Sequence, residues 1–183
     1  MIRVRAAGVG DVATIARIHV EAWQASYPGI VPDAYLVGLS ARKQEDQWRR
    51  TIRRADHLDR VYVSVDAREG GENVTGFASC GPARHEKGSR RSANDGEIYT
   101  LYVEPDLRGA GYGRALLRHC LDDLHGEGRR HAIVWVLAAN PSRFFYEAQG
   151  AKLVGRRDER FAGTTLEMYG YVWPLPVDEA DQR

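Results

Sequence analysis

The chain alternates between stretches with a two-residue hydrophobic period and stretches in which apolar residues recur every three or four positions. A period of two is typical of β-strands, and a period near 3.6 is typical of amphipathic helices. The two-residue period predicts strands over residues 2–5, 60–66, 74–80, 96–103, 152–156 and 164–173. Residues 131–137 are almost continuously apolar, which predicts a central strand buried on both faces.

The helical spacing predicts four helical regions between these strands. The first begins with Asp11 as its N-cap, the second covers residues 33–55 with a break near Gly38, and the third covers residues 112–124. Asn140 and Pro141 predict the start of a short fourth helix, because Asn is favoured at the N-cap and Pro at the first helical position. The order β-α-α-β-β-β-α-β-α-β-β predicts an α/β fold with a mixed sheet.

Domain organisation follows from length and from the polar stretches. The 183 residues are enough for one domain, which we expect to cover residues 1–173. Residues 174–183 are acidic and contain proline, and we predict a flexible tail there. The polar, basic residues 81–95 predict a surface loop between two strands.

Composition excludes several classes of protein. With 43% hydrophobic and 28% charged residues, the chain resembles an ordinary soluble protein, and no apolar run is long enough to span a membrane. The N-terminal residues lack the apolar core of a signal peptide, so we expect a cytoplasmic protein. The only cysteines, Cys80 and Cys120, are too few for a zinc knuckle, and we expect both to be buried, with no metal bound.

Charge gives little indication of a macromolecular partner. The 26 basic and 25 acidic residues leave a net charge of +1, so we expect no binding to nucleic acid. Adjacent arginines at positions 49–50, 53–54, 90–91 and 156–157 are expected to be solvated surface charges.

A glycine-rich turn over residues 103–114 joins a predicted strand to a predicted helix and is the most informative segment. Glycines allow a tight turn, and free N–H groups at a helix N-terminus bind phosphate oxygens. A Walker loop would require Lys where Arg114 stands, and the dinucleotide fingerprint would require Gly at the same position. The remaining alternatives are a different phosphate-binding turn and a purely structural one.

The spacing Arg108-x-x-Gly111-x-Gly113, after a strand that ends Leu101-Tyr102-Val103, resembles the acyl-CoA signature of the GNAT superfamily of N-acyltransferases. Residues 140–150 resemble that family's Asn-to-Tyr-to-Gly helix, and the element order agrees over residues 1–173. The resemblance implies a mixed, mostly antiparallel sheet of about seven strands flanked by about four helices.

The resemblance implies an N-acetyltransferase that moves an acetyl group from acetyl-CoA, its co-substrate, to a primary amine of a small molecule or peptide. The amine would attack the thioester directly in a ternary complex. The alternative is a non-catalytic acyl-CoA-binding sensor or interaction module of the same fold. A GNAT-type sheet can pair across its edges, which leaves a homodimer open.

The resemblance also assigns roles to individual residues. The main chain of Leu101, Tyr102 and Val103 would pair with the pantetheine arm of the cofactor. The pyrophosphate would lie on the amides of the turn, which comprises Arg108, Gly109, Ala110, Gly111, Tyr112 and Gly113. Asn140 would hold the pantetheine arm, cap its helix, or do both. Arg143 and Arg114 would reach the CoA phosphates or remain surface charges.

Two residues match the catalytic positions of the family. Tyr146 matches the general acid, because a phenol with a reference pKa of about 10 is protonated at neutral pH and can protonate the leaving thiolate. Its alternative role is that of an aromatic core residue. Glu97 matches the position of a base, acting directly or through water, and its alternative role is a surface carboxylate. The acceptor pocket would be built by the first two helices, including Trp23 and Tyr27.

Overall fold

A computed structural model of the chain describes residues 1–54, 58–67, 71–84 and 95–176. Its strands form one seven-stranded sheet in the order β1-β2-β3-β4-β5-β7-β6. The strands are β1 (Ile2–Ala6), β2 (Arg60–Asp66), β3 (Asn73–Pro82), β4 (Asp95–Val103), β5 (His131–Leu137), β6 (Lys152–Phe161) and β7 (Thr164–Pro174). Neighbouring strands are antiparallel except β4 and β5, which are parallel, so the predicted fold class is confirmed.

The described residues form five α-helices, one more than predicted. They are α1 (Val12–Ser26), α2 (Asp33–Val37), α3 (Ala41–Arg53), α4 (Tyr112–Gly126) and α5 (Arg143–Ala148). The additional helix arises because the predicted break near Gly38 divides the second helical region into two helices: Gly38 is the C-cap of α2, and Ser40 is the N-cap of α3.

The two faces of the sheet carry separate cores. Residues of α1 and α3, such as Ile15 and Trp48, pack on one face with Val63 and Phe77. Residues of α4 and α5, such as Leu117, pack on the other face. The sheet is therefore a central layer covered by helices on both sides.

Asp11 lies at the predicted N-cap position but does not cap α1. A 3₁₀ turn, Val9–Asp11, precedes the helix, and Asp11 already has near-helical angles of φ −86° and ψ −12°. Its carboxylate instead accepts hydrogen bonds from the Gly8 N–H at 2.7 Å and from the Arg5 guanidinium at 2.7 and 2.9 Å. The hydrogen bond from Arg5 is the main reason that the pKa of Asp11 lies below its usual value.

The last two strands differ most from the sequence prediction. β6 continues to Phe161, beyond the predicted end at residue 156, and turns through Ala162 and Gly163 into β7. The charged residues 157–160 hid this extension because they lack apolar alternation. β7 ends at Pro174, and the buried Leu175 donates its N–H to the Arg130 carbonyl at 2.9 Å. The predicted tail thus begins with ordered residues, and residues 177–183 lie outside the described part of the chain.

Several smaller predictions concern this framework. Cys80 and Cys120 are both fully buried, as expected. None of the helices formed by the described residues is long and apolar enough to cross a membrane. Residues 85–94 of the predicted surface loop lie outside the described ranges. The outer edges of the sheet are β1 and β6, and a homodimer across either edge stays a prediction.

Candidate active site

A cleft opens where β4 and β5 separate. The two strands pair only over residues 95–98 and 131–134, after which β4 stays with β3 and β5 stays with β7. The resulting cleft has a volume of about 790 Å³. Among the described residues, positions 100–103 of β4 have no ladder partner on the side of β5. Their main-chain groups are therefore available to pair with an extended ligand.

A β-bulge at Tyr99 marks the point of separation. Ile98 pairs with Cys80 and Thr100 pairs with Ser79, so Tyr99 is an extra residue in β4. Beyond the bulge, Leu101 packs in the α4-side core together with Ile98, while Tyr102 packs in the α1-side core. In a regular strand Ile98 and Leu101 would face opposite sides, so the bulge re-aims the free part of β4.

The glycine turn forms the N-terminal end of α4. Gly109 has φ +82° and Gly111 has φ +96°, a region of backbone conformation that side chains with a Cβ rarely adopt. The first N–H groups of this 15-residue helix have no acceptor within the helix. They point toward the turn, and such groups favour the binding of an anion. Arg108 donates a hydrogen bond to the Ser26 hydroxyl at 2.8 Å, which ties the turn to the end of α1.

The structure separates the predicted phosphate-binding residues into two groups. Arg108, Gly109, Gly111, Gly113 and Arg114 line the cleft. The side chains of Ala110, Tyr112 and Arg143 do not belong to its lining among the described residues.

Two of the excluded side chains have contacts of their own. Tyr112 is buried and donates its hydroxyl hydrogen to Asp66 at 2.8 Å, so only its main chain faces the turn. Arg143 lies over the Phe144 ring at 4.0 Å and beside Glu147 at 3.5 Å.

Tyr146 lies in the cleft on α5. The helix begins at Arg143 with Ser142 as its N-cap, so the prediction of Asn140 as N-cap and Pro141 as first helical residue is wrong by two residues. Asn140 Oδ1 accepts the Ser142 N–H at 2.9 Å in the turn that precedes the helix. Tyr146 is only 6% exposed and packs edge-on against Phe145 and Trp173. Burial raises the pKa of Tyr146 well above that of a free phenol, and the nearby Tyr27 and Cys120 raise it further. The hydroxyl therefore keeps its proton throughout the neutral range.

Glu97 is a buried carboxylate and not a surface group. It lies on β4 beside the bulge, is 8% exposed, lines the cleft and accepts the Arg84 N–H at 2.8 Å. The Arg84 guanidinium lies 3.7 Å from the centre of the Tyr99 ring. Glu97 and Tyr146 thus reach the same cleft from different elements.

Side chains of α1 and β4 are linked at the cleft. Trp23 Nε1 donates a hydrogen bond to the Tyr102 hydroxyl at 2.9 Å. The Tyr27 ring packs edge-on against Trp23, with ring centres 4.8 Å apart. Burial raises the pKa of Tyr27 and Tyr102, so their hydroxyls remain neutral. The resemblance implied that Trp23 and Tyr27 belong to an acceptor pocket, and both side chains line the cleft.

The hairpin of β6 and β7 forms a wall of the cleft that the sequence analysis missed. Arg157, Glu159 and Phe161 line the cleft from alternate positions of β6, as do Leu166 and Met168 from β7. The interpretation of residues 156–157 as solvated charges is therefore wrong for Arg157, which lies over the Trp135 ring at 4.2 Å. The sequence carried no signal for this wall, because residues 157–160 are all charged and lack apolar alternation.

No group of His, Cys, Asp and Glu side chains with the arrangement of a metal site occurs in residues 1–54, 58–67, 71–84 and 95–176. The chemistry that the cleft offers is that of a neutral phenol, a buried carboxylate, a free strand edge and a helix N-terminus. This set can bind an elongated phosphate-bearing ligand and move protons at its far end.

Comparisons with known proteins agree with this geometry. Residues 16–151 match the model of the acetyltransferase (GNAT) family. The chain is 35% identical over 174 residues to an uncharacterized N-acetyltransferase of Bacillus subtilis, YuaI, covering 95% of this chain and 94% of the relative.

Two solved structures share the fold. The N-acetyltransferase PaiA from Thermoplasma acidophilum, in complex with coenzyme A, has a TM-score of 0.67 and 19% identity, covering 92% of this chain and 98% of that protein. YncA from Salmonella typhimurium, with its cofactor acetyl-CoA, has a TM-score of 0.68 and 20% identity, covering 97% of this chain and 96% of that protein. On the family match and the curated relative, the chain belongs to the GNAT family of acetyltransferases.

Proposed function

We propose that this protein transfers an acetyl group from acetyl-CoA to a primary amine by direct attack in a ternary complex. The observation that carries the proposal is that a neutral buried phenol, Tyr146, and a buried carboxylate, Glu97, line one cleft beside the free edge of β4. A general acid and a general base are the two proton-transfer groups that this reaction uses.

The cleft fits acetyl-CoA in three respects. The N-terminal end of α4 offers main-chain N–H groups for the pyrophosphate, with Arg108 and Arg114 beside them. Residues 100–103 of β4 offer main-chain groups for the amides of the pantetheine arm. Asn140, whose Oδ1 already accepts the Ser142 N–H, retains its amide N–H₂ for bonds to the arm. Acetyl-CoA supplies the activated acetyl group as a thioester.

We assign one proton transfer to each of these two groups. Glu97, directly or through a water molecule, accepts a proton from the attacking amine. The amine nitrogen bonds to the carbonyl carbon, and a main-chain N–H of the unpaired part of β4 stabilises the negative charge that forms on the carbonyl oxygen. The carbon–sulfur bond then breaks, and the Tyr146 hydroxyl donates its proton to the leaving sulfur. The products are the N-acetylated acceptor and free CoA thiol.

The acceptor would bind beside α1 and the hairpin of β6 and β7. Trp23 and Tyr27 line this side of the cleft, and Phe161 of β6 packs against Trp23 with ring centres 5.7 Å apart. These aromatic side chains suit the apolar part of a small-molecule or peptide amine.

The experiment that tests the function measures thiol release from acetyl-CoA against a panel of amines, amino acids and short peptides. Acceptor-dependent release, with an acetylated product of matching mass, would support the proposal. Tight acetyl-CoA binding without release for any acceptor would contradict it and favour a sensor.

A further inference from the structure

The Trp135 indole lies flat on two glycines across three strands. Trp135 of β5 pairs in register with Gly170 of β7, which pairs with Gly155 of β6. A Cβ atom at Gly170 would lie 2.9 Å from Cη2 of Trp135, and one at Gly155 would lie 3.8 Å from the same atom. A side chain at position 170 would therefore displace the indole, and glycine holds the ring against the sheet.

Arg157 is stacked on the face of this indole. Its guanidinium carbon lies 4.2 Å from the ring centre, and its side chain is 25% exposed. A planar cation on an aromatic face gains cation–π energy and loses rotational freedom. The next residue back, Arg156, is exposed and lies on the opposite side of β6 over Tyr169 at 4.9 Å. Only one of the two adjacent arginines therefore lines the cleft.

The stack of Arg157 on Trp135 lies close to the point where β4 and β5 separate, and so does Glu97. The last paired residues of β4 and β5 are Ile98 and Val134, so Trp135 is the first residue of β5 beyond the separation. Glu97 stands one residue before that point on β4. The cleft therefore offers a carboxylate near the separation on one strand and a fixed guanidinium beside the other strand.

We infer that the acceptor is a small amine that also carries a carboxylate, such as an apolar amino acid, and that Arg157 binds that carboxylate. The inference rests on the proposed function and names its substrate class. A zwitterion places its ammonium at Glu97 and its carboxylate at Arg157, so both charges meet opposite ones in a partly buried site. The walls formed by Trp23, Phe161 and Met168 contact its apolar part.

In the structure, the guanidinium of Arg157 binds the carboxylate of Glu159. Its Oε2 lies 3.1 Å from Arg157 Nη2, and its side chain is 48% exposed. A substrate carboxylate can replace Glu159 on the guanidinium, and Glu159 can turn to solvent at little cost because it is half exposed already. The guanidinium fork offers the paired N–H groups that a planar carboxylate accepts.

The reaction on such a substrate keeps the atom balance of the proposed mechanism. The amino nitrogen gains the acetyl carbon and loses one proton to Glu97. The carbon–sulfur bond breaks, and the sulfur gains one proton from Tyr146. The carboxylate stays bound to Arg157 throughout and undergoes no chemistry.

The test compares matched acceptors on matched variants. The acceptors are leucine, leucine amide and 3-methylbutylamine, together with the corresponding phenylalanine set, so that only the carboxylate changes within each set. The variants are Arg157→Gln, Arg157→Lys and the control Arg156→Gln, whose side chain lies outside the cleft lining. The effect of each variant is compared for one acceptor at a time, which cancels the intrinsic reactivity of the amines.

We expect Arg157→Gln to raise KM for the amino acids by about tenfold or more, with the amides and amines changed less than about twofold, because only the charge-assisted bonds to the carboxylate are lost. Arg157→Lys should recover part of the loss, and Arg156→Gln should change nothing. An equal KM effect on acids and amides, or none on either, would overturn the inference.

A binding measurement separates this inference from the proposed function. Calorimetric titration of the same compounds into protein saturated with CoA requires no turnover. We expect the amino acids to bind more tightly than their amides, and we expect this difference in affinity to vanish in Arg157→Gln. Equal affinities in the original protein would overturn it, whereas binding without transfer from acetyl-CoA would contradict only the proposed function.

Discussion

The indole nitrogen of Trp23 donates a hydrogen bond to the Tyr102 hydroxyl at 2.9 Å, and this bond joins α1 to the unpaired part of β4. Arg108 of the glycine turn donates a hydrogen bond to the Ser26 hydroxyl at the end of α1 at 2.8 Å. Three elements that border the cleft, α1, β4 and the glycine turn, are therefore linked through side chains before any ligand binds. Such links fix the relative positions of the binding groups, which lowers the entropy cost of binding.

The first prediction concerns Tyr146. Tyr146→Phe should lower kcat by about a hundredfold or more, because general acid catalysis is lost while ring packing is kept. The affinity for acetyl-CoA should change little, and the control Tyr169→Phe should leave kcat unchanged, since Tyr169 is not part of the cleft lining. Steady-state kinetics with a competent acceptor measures both. An unchanged kcat in Tyr146→Phe would remove this residue from the mechanism.

A related prediction concerns the dependence of kcat on pH. Because burial raises its pKa above that of a free phenol, Tyr146 stays protonated and cannot cause a loss of activity as pH rises through the neutral and mildly alkaline range. A fall of kcat between about pH 7 and about pH 10 that disappears in Tyr146→Phe would show that its pKa is not raised.

The second prediction concerns Glu97. Glu97→Gln should lower kcat/KM near neutral pH by about a hundredfold, because the amide cannot accept the proton of the amine. The loss should shrink as pH rises toward the pKa of the acceptor, since more of the amine is then already deprotonated in solution. The control Glu167→Gln changes an exposed carboxyl outside the cleft lining. A pH-independent loss would indicate that Glu97 binds the acceptor without acting as its base.

The third prediction separates the cofactor site from stability. A Cβ at Gly113 would lie 3.7 Å from Leu101, Phe145 and Val103, so the free protein can accept Gly113→Ala. The added methyl group would nevertheless project at the N-terminal end of α4, where Gly113 lines the cleft. It would hinder the close approach of acetyl-CoA, and we expect the affinity for acetyl-CoA to fall by about tenfold. The control is Gly126→Ala at the other end of α4, where a Cβ would contact nothing within 4 Å.

Calorimetric titration with acetyl-CoA and thermal unfolding together measure this effect. Unchanged affinity in Gly113→Ala would show that acetyl-CoA does not approach the turn at this residue. A large drop in the unfolding temperature would instead show that the glycine is required by the fold.

The fourth prediction concerns His19, which stacks on the Tyr102 ring with centres 5.4 Å apart. Its Nδ1 accepts a hydrogen bond from Trp48 Nε1 at 3.2 Å, and burial lowers its pKa to about 4. As pH falls from about 6.5 toward about 4, the unfolded chain gains a proton at His19 that the folded protein resists, so the free energy of unfolding falls by up to about 3 kcal/mol.

His19→Gln keeps an acceptor for Trp48 and removes this titration. The unfolding free energy of the variant should therefore depend less on pH across this window than that of the original protein, as measured by urea unfolding at several pH values. Parallel curves for the two proteins would show that the pKa of His19 is not lowered by folding.

The parts of the site carried by local patterns could be predicted from sequence. The glycine turn and the Asn140-to-Gly150 helix depend on residues close together in the chain, and both now border one cleft. Alternation also predicted six of the seven strands, because a strand with one buried face has a hydrophobic period of two, and a continuous apolar run predicted β5. The limits of the pairing between β4 and β5 and the bulge at Tyr99 were not predicted.

The parts that depend on contacts between distant residues could not be predicted. Nothing near Trp135 in sequence indicates that Gly170 and Gly155 lie beneath its ring. From the sequence, Arg157 was expected to be a surface charge like Arg156, because nothing nearby indicates that β6 borders the cleft. The roles of Tyr112 and Asp11 were also decided by remote partners, Asp66 and Arg5.

The central claim, direct transfer between two substrates bound together in this cleft, is tested most directly by initial velocities with both acetyl-CoA and an acceptor amine varied. The account predicts double-reciprocal lines that intersect, and a maximal velocity that falls in Tyr146→Phe with the intersecting pattern retained. Parallel lines, together with an acetylated enzyme detected by mass when acetyl-CoA alone is added, would contradict it, because they are the marks of a covalent intermediate.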